Sequence, residues 1–363
     1  MQISGDKTLT VVSKQPIIVE KDCVWIHTTA SPKIGYGHLR RSLVIAKALE
    51  NTSTPLFILD PEDHWSKSHL KKHCVNSFED GFDKAWSELP QPSVIIIDTR
   101  FKGGLDAEIA RAGSLGVPVV SIHDLGLNPL PSDVIIDGSI APLHYGSSRS
   151  NAVRYEGTDY MILDPAYRAL HRQKRKIRKE IRSISINLGG GNSGDFYLKV
   201  LEGIKLWGRE TDVIGVSGFV SWGQEEVAER DWHPLHFRWE TENIANLVAQ
   251  ADLAITAGGI ASYEALCTGT PLLALSCDTF QQAAISALES SGACINLGPG
   301  NKLEPAVLSG MLSRMASDVD RRRLLSYRGK QTVDGLGADR VVRIIGSLIE
   351  ERFKTGNRRG SDD

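Results

Sequence analysis

The amino-acid sequence predicts an α/β protein of two doubly wound, Rossmann-like domains with a central cleft. Short apolar runs of strand length alternate with helical patterns along the chain, which is typical of parallel sheets covered by helices. The alternation is interrupted at residues 171–182, a strongly basic run, and then restarts. A chain of 363 residues is also about the length of two domains. We therefore expect a ligand between the domains, beyond the carboxyl ends of the strands.

The first domain is predicted to span residues 21–175. Its strands are expected at the apolar runs 24–28, 56–59, 94–98, 117–122 and 134–137. The clearest helix is predicted at 39–50, where leucine and alanine recur every three or four residues on one side. Residues 1–20 precede this pattern and are interpreted as an N-terminal arm or strand pair.

The second domain is predicted to span residues 183–350. Its strands are expected at 183–188, 212–217, 253–256, 272–275 and 293–297, and its clearest helices at 195–207 and 244–251. The basic run between the domains is interpreted as a solvated helix or a linker. The charged end, residues 351–363, is expected to be a flexible tail.

Composition excludes several classes of protein. The chain is 41% hydrophobic with a formal net charge of -2, so nothing in its charge suggests nucleic acid as a partner. Its longest aliphatic run, residues 94–97, is far shorter than the roughly 20 residues that span a membrane. Five cysteines without a CxxC pair favour a reduced, cytoplasmic protein. The histidines show no HExxH or close Cys/His spacing, so neither a metal nor a cofactor is expected.

The first candidate loop, residues 34–41, lies between the first strong strand and the helix that follows. Gly35 and Gly37 allow a tight turn, and the free amides at the helix start favour an anion. His38 can act there as a general base, and Arg41, on the same face, can hold a phosphate or a carboxylate. From this loop alone, a glycine turn with a capping histidine explains the pattern equally well.

A second glycine-rich loop, residues 189–194, lies between a strand and a helix and satisfies GxGxxG. It favours a phosphate cradle, with a merely structural turn as the alternative. Its candidate ligands are the central residues Gly190, Gly191 and Asn192. A dehydrogenase is disfavoured, because the next strand ends in Ser217 rather than in an acid that could hold a ribose. Arg40 also takes the place of the third fingerprint glycine in the first loop.

The third candidate loop, residues 256–271, leads from another strand into a short helix. Glu264 lies in the early helix, where its carboxylate can accept two hydrogen bonds from a ribose diol, or can simply complement the helix dipole. One strand later, Gln281 and Gln282 open another helix and can bind a sugar or a phosphate oxygen. The candidate ligands at the start of the first of these helices are Gly258, Gly259, Ile260 and Ser262.

Two of these loops carry motifs of one known family, in the same order. GxGHxxR stands at residues 35–41, and AGGxxxYExxxxGxP stands at residues 257–271. The chain thereby resembles the UDP-sugar hydrolase of pseudaminic acid biosynthesis, which releases UDP from a UDP-2,4-diacetamido-2,4,6-trideoxyhexose. Its second half is also similar to the nucleotide-binding domain of the MurG-type glycosyltransferases. The similarity covers about residues 24–297.

The resemblance implies a GT-B-like fold in which the second domain holds most of the nucleotide. It implies that His38 activates water at the anomeric carbon and that Glu264 binds the ribose. It also implies that Gln281 or Gln282 binds the diphosphate or the sugar, and that the loop at 189–193 binds the phosphates. The nucleotide would leave as an anion, stabilised by loop amides and helix N-termini.

The sequence departs from the family pattern at three places. Ile260 and Ala261 replace a Ser-Thr pair, which leaves Ser262 as the nearest hydroxyl. Asp98, which ends the third predicted strand, is followed by a threonine rather than an aromatic residue. Where the family has a paired acid, this chain has His123 and Asp124, and we count Asp98, His123 and Asp124 as candidate cleft residues.

Three functional hypotheses follow. The first is a hydrolase of a nucleotide-activated sugar such as a UDP-sugar. The second is a glycosyltransferase in which His38 deprotonates an acceptor hydroxyl instead of water. The third is a non-catalytic nucleotide-sugar-binding protein, suggested by the missing hydroxyls at Ile260 and Ala261. The oligomeric state is left open.

Overall fold

The structure is a computed structural model that describes residues 22–99, 104–123, 130–142, 151–189, 194–216, 227 and 229–359, together with two short strands. These strands, β1 (Leu9–Thr10) and β2 (Pro16–Ile17), pair with each other in antiparallel fashion. They lie in the stretch 1–20 for which the sequence predicts an arm or a strand pair.

The first large sheet has seven parallel strands. In chain order they are β3 (Cys23–Thr28), β4 (Thr54–Ile58), β5 (Ser77–Phe78), β6 (Val94–Asp98), β7 (Val119–His123), β8 (Val134–Asp137) and β9 (Val153–Glu156). Their order across the sheet is β5-β4-β3-β6-β7-β8-β9. The sequence predicts five of these strands and misses β5 and β9, because β5 has only two residues and β9 is largely polar and exposed.

The second sheet has six parallel strands. They are β10 (Ser183–Asn187), β11 (Thr211–Val216), β12 (Leu235–Glu240), β13 (Leu253–Ala257), β14 (Leu272–Ser276) and β15 (Cys294–Pro299), in the order β12-β11-β10-β13-β14-β15. In both sheets the chain adds strands first on one side of the starting strand and then on the other. The strand order therefore switches between β3 and β6 in the first sheet and between β10 and β13 in the second. Such switch points are where doubly wound sheets bind ligands, and the predicted fold class is confirmed.

Helices connect the strands and cover both sheets. They are α1 (Gly37–Leu49), α2 (His64–Lys72), α3 (Gly81–Glu88), α4 (Asp106–Ser114), α5 (Pro165–His171), α6 (Gly194–Trp207), α7 (Ile244–Gln250), α8 (Ile260–Thr268), α9 (Thr279–Ser290), α10 (Pro305–Ser317), α11 (Val319–Thr332) and α12 (Gly337–Arg359). Within the part of the chain that the structure describes, none of them has the length and apolar character needed to cross a bilayer.

The last helix returns to the first sheet. Ala338, Val341, Ile345 and Ile349 share one apolar core with the strands β3 and β6, and α12 also packs against α1. The predicted second domain at 183–350 therefore needs a correction, because its last helix belongs to the core of the first sheet. Residues 351–359, which the sequence assigns to a flexible tail, continue α12, and residues 360–363 lie outside the described residues. We call the first sheet, its helices and α12 the N-terminal lobe, and the second sheet with its helices the C-terminal lobe.

The basic run forms an anchored linker. Beyond α5 it has no regular structure, and it lies against the C-terminal lobe. Arg322, which is fully buried, donates from its two terminal nitrogens to the carbonyl oxygens of Arg178 and Lys179 at 2.7 Å each. Arg178 also pairs with Asp252 at 3.1 Å. Of the two predicted alternatives, the linker is the one observed; most of its residues are exposed, and these bonds attach it to the C-terminal lobe.

Replacement of Gly337 by Ala is expected to destabilise the protein strongly. A Cβ on Gly337 would lie 2.1 Å from the carbonyl oxygen of Met161, where the chain enters α12. Since the obstacle is backbone, it cannot move aside cheaply, and overpacking costs about 1–3 kcal/mol or more. Gly346→Ala in the same helix is the control: its Cβ meets nothing within 4 Å, so it should stabilise by about 0.5–1 kcal/mol. Urea unfolding of both variants measures the contrast, and a Gly337→Ala protein as stable as the wild type would contradict the packing described.

Candidate active site

The predicted loops of the two lobes meet in the cleft. In the N-terminal lobe, Gly35 has a φ of +85°, which favours glycine, and the turn it forms leads directly into α1. In the C-terminal lobe, α8 begins immediately after β13. A Cβ on Gly37 would lie 3.4 Å from Cδ1 of Ile260, the first residue of α8. The start of α1 therefore faces the start of α8 across the cleft.

A buried carboxylate organises the histidine and arginine of α1. Asp98 ends β6, at the switch point of the first sheet, and is completely buried. Its Oδ1 lies 2.7 Å from Nδ1 of His38, and Arg41 donates from Nε to Oδ2 at 2.6 Å and from Nη2 to Oδ1 at 2.7 Å. Ser42 donates to Oδ2 at 3.3 Å. The sequence named these two α1 residues and Asp98 separately, and the structure brings them together.

The charges of this cluster fix the state of Asp98. Burial alone would raise the pKa of Asp98, but the charges and hydrogen bonds of Arg41 and His38 outweigh it and hold that pKa below its usual range. Asp98 is therefore ionised and can only accept hydrogen bonds, so Nδ1 of His38 donates to it. Nη2 of Arg41 lies 3.1 Å from the same Nδ1 and donates to Oδ1 of Asp98 instead. Nε2 of His38 is left to accept a proton, and it makes no hydrogen bond within the described residues.

His123 lies close to this cluster without joining it. It ends β7, the neighbour of β6, and its Nε2 lies 3.0 Å from Oγ of Ser121. Burial lowers the pKa of His123 to about 4, and the positive charges of Arg154 and Arg41 act in the same direction. The imidazole is therefore neutral at neutral pH and a weak base. Asp124, predicted beside it, lies outside the described residues.

Glu264 faces the N-terminal lobe. It is buried, and its Oε1 lies 3.6 Å from Nη2 of Arg40, in the first turn of α1. Tyr167 of α5 lies beside the same carboxylate: burial and the Glu264 charge both raise the pKa of its phenol. The preceding residue of the family motif, Tyr263, accepts a hydrogen bond from the backbone N–H of Ile140 at 3.1 Å. In the sequence, Arg40 counts only against a dinucleotide site. Tyr167 is not among the predicted site residues, because nothing in its local sequence pattern relates it to α8.

Two of the predicted polar ligands of the C-terminal lobe are already engaged within it. Ser262 is fully buried and donates from its hydroxyl to the carbonyl of Ala257 at 2.8 Å, so it is turned away from the cleft. Oε1 of Gln281 accepts from the backbone N–H groups of Gly258 and Cys277, at 3.3 and 3.0 Å. Gln281 thereby ties together the ends of β13 and β14.

Of the remaining predicted ligands, some are described by the structure and others lie outside the described residues. Gln282 accepts a hydrogen bond from Oγ of Ser276 at 2.7 Å, and Gly259 precedes the first turn of α8. Gly190, Gly191 and Asn192 lie outside the described residues. Among the residues that are described, no group of three or more His, Cys, Asp or Glu side chains is placed to hold a metal ion.

Comparison with known proteins identifies relatives and structural neighbours. No protein-family model matches the chain. The spore coat polysaccharide biosynthesis protein SpsG of Bacillus subtilis strain 168 is 35% identical over 232 residues, which cover 61% of this chain and 67% of that protein.

Among solved structures, MurG of Acinetobacter baumannii matches with a TM-score of 0.63 at 14% identity, over 90% of this chain and 99% of its own. HepE of Anabaena, solved in complex with UDP and glucose, matches with a TM-score of 0.57 at 15% identity, over 89% and 99%. The fold is thus the two-lobed GT-B fold, as the family resemblance implied.

Proposed function

Because the chain belongs to the family of the spore coat polysaccharide biosynthesis protein SpsG, we propose that it cleaves a nucleotide-activated sugar, with water as the acceptor and His38 as the general base. One observation carries the proposal: a buried Asp98–His38 pair at 2.7 Å lies where α1 meets α8 across the cleft of a GT-B fold. This geometry supplies an oriented base at the edge where doubly wound sheets bind their ligands.

In this mechanism each member of the cluster has one task. Nε2 of His38 removes a proton from water as the water oxygen attacks the anomeric carbon, and the bond from that carbon to the phosphate oxygen breaks. Asp98 keeps the imidazole in the required tautomer and stabilises the imidazolium that forms. Arg41 holds Asp98 by two hydrogen bonds and keeps it ionised. General-base catalysis of this kind contributes about 10²- to 10⁴-fold in rate.

The C-terminal lobe would stabilise the departing nucleotide. The phosphates would lie between the N-termini of α1 and α8, whose unpaired backbone N–H groups and dipoles favour an anion. Glu264 would accept hydrogen bonds from the ribose diol. Since Ser262 is turned into the lobe, backbone amides rather than that hydroxyl would contact the phosphates.

A second candidate function is sugar transfer in the same cleft. It is supported by the likeness to MurG, which extends over nearly the whole of both chains. An acceptor hydroxyl would then take the place of water, and His38 would deprotonate it in the same way. The two functions differ in one observable property, the need for an added acceptor.

Cleavage in ¹⁸O-labelled water tests the proposal. We expect UDP or another nucleotide to be released from one member of a panel of UDP-, CDP- and GDP-sugars without an added acceptor. We also expect no ¹⁸O in the phosphates of the released nucleotide, because the attack occurs at carbon. Mass spectrometry of the nucleotide provides the measurement. Label in the phosphates would place the attack at phosphorus and contradict the mechanism, and release only with an acceptor would favour the transferase.

A further inference from the structure

The first turn of α1 has the reverse of the usual charge pattern. It contains Arg40 and is followed at once by Arg41, and it has no acidic residue. The N-terminus of a helix carries the positive end of the dipole, so cations there are unfavourable unless anions lie close by. Arg41 has such a partner in the buried Asp98 of its own lobe. The partner of Arg40 belongs to the other lobe.

The contact between Arg40 and Glu264 is a loose ion pair. The two charged groups are 3.6 Å apart, and the Arg40 side chain is 46% exposed while that of Glu264 is 5% exposed. A buried carboxylate with one distant, half-exposed cation retains capacity to accept further hydrogen bonds. Because the Arg40 side of this pair is half-exposed and 3.6 Å away, a ligand that donates hydrogen bonds to Glu264 can replace Arg40 without breaking a close contact.

The hydroxyl of Tyr167 is a second polar group beside Glu264. Tyr167 is 1% exposed, and its hydroxyl lies close to the Glu264 carboxylate but makes no hydrogen bond of ordinary length and angle among the described residues. The phenol nevertheless lies within the field of both Glu264 and Arg40. A buried hydroxyl that is so poorly satisfied is unfavourable, so a ligand oxygen that accepts a hydrogen bond from it gains affinity here.

We propose that Arg40 is an exchange residue of the nucleotide site, which occupies Glu264 while the cleft is empty and moves to the phosphates when ribose hydroxyls take its place. The inference rests on the proposed function, since it assigns the roles of Arg40 and Tyr167 in the same nucleotide site. The ribose diol donates to Glu264, and one ribose oxygen accepts from Tyr167. Arg40 is thereby released beside the start of α1, where its charge and the helix dipole together favour the phosphate anion. Arg40 couples recognition of the ribose to recognition of the phosphates.

If Arg40 exchanges in this way, its replacement should change the affinities for uridine and for UDP in opposite directions. In Arg40→Gln the cation no longer competes for Glu264, so uridine should bind up to about fivefold more tightly than to the wild type. The same variant lacks the phosphate contact, so UDP should bind about tenfold more weakly. Glu264→Gln should weaken both ligands. Arg323→Gln removes a surface arginine that pairs with Asp320 in its own helix, and it should leave both affinities unchanged.

Isothermal titration calorimetry with the full-length protein tests these signs. UDP and uridine are titrated into the wild type and the three variants, with CDP and cytidine in parallel so that the choice of base does not decide the outcome. If Arg40→Gln changes both affinities in the same direction, or neither, while the wild type binds a nucleotide, the exchange is wrong and the proposed function stands. If the wild type binds none of these four ligands, nor GDP or guanosine titrated in the same way, the proposed function fails and the exchange fails with it. Thermal unfolding of each variant shows whether it is folded, so that a loss of ligand affinity can be distinguished from a loss of structure.

Discussion

His38→Asn should lower kcat for nucleotide-sugar cleavage by about 10²- to 10⁴-fold while nucleotide affinity stays close to that of the wild type. Asparagine can still donate from its side-chain amide to Asp98, so it replaces Nδ1 of His38 in the 2.7 Å hydrogen bond. It has no group that corresponds to a basic Nε2. The variant therefore separates the base from the structural role of the residue, and single-turnover kinetics beside calorimetric titration of UDP measure the two effects.

His123 provides the comparison for that experiment. It lies at the end of the neighbouring strand, but its pKa of about 4 makes it a poor base at neutral pH. His123→Asn is therefore expected to cost far less in kcat than His38→Asn. If His123→Asn abolished turnover and His38→Asn did not, the assignment of the base would be overturned.

The sequence predicts the sheets well because the strands that form their centres are continuous aliphatic runs. β6, for example, is predicted with the bounds that the structure gives it. Parallel strands buried on both faces produce this pattern, and their order follows from the short connections between them. The sequence does not predict that α12 packs on the first sheet, because the amphipathic pattern of this helix is the same whichever lobe it covers. Only the packing of Val341 and Ile345 on the first sheet reveals which lobe that is.

The site is predicted in parts. The start of α1 is visible in the sequence as GxGH after a strand, and Asp98 as an acid at a strand end, but their contact spans 60 positions and depends on β3 and β6 being neighbours. The pair of Arg40 with Glu264 depends further on how the lobes meet, which no local pattern contains. For Ser262 the spacing suggests a ligand hydroxyl, whereas in the structure that hydroxyl donates to the carbonyl oxygen of Ala257.

Asp98→Asn should have the largest effect on stability of any change in the cleft. The guanidinium of Arg41, 6% exposed, would lose the carboxylate that it meets at 2.6 Å, and removing one partner of a buried ion pair costs about 3–5 kcal/mol. The same change replaces one of the two acceptor oxygens by an NH2 donor, so the side chain no longer fixes the tautomer of His38 and kcat should fall as well. Urea unfolding at pH 7 gives the free energy of unfolding, and Asp98→Asn/Arg41→Met is the matched control. Removing both charges should cost less than the sum of the two single changes.

The difference in the free energy of unfolding between the wild type and Asp98→Asn should depend on pH, because the pKa of Asp98 is shifted in the folded protein. Burial raises this pKa, but Arg41 and His38 lower it by more, so the folded-state value lies below that of the unfolded chain. A carboxyl with a depressed pKa contributes stability that is complete above its unfolded value of about 4 and is lost as the pH falls through the folded value. The gap in the free energy of unfolding between wild type and Asp98→Asn should therefore be widest near neutral pH and narrow on acidification below about pH 4. A gap that instead widened in acid would mean that Asp98 is protonated in the folded protein, and it would then be unable to hold His38 in the tautomer that the mechanism requires.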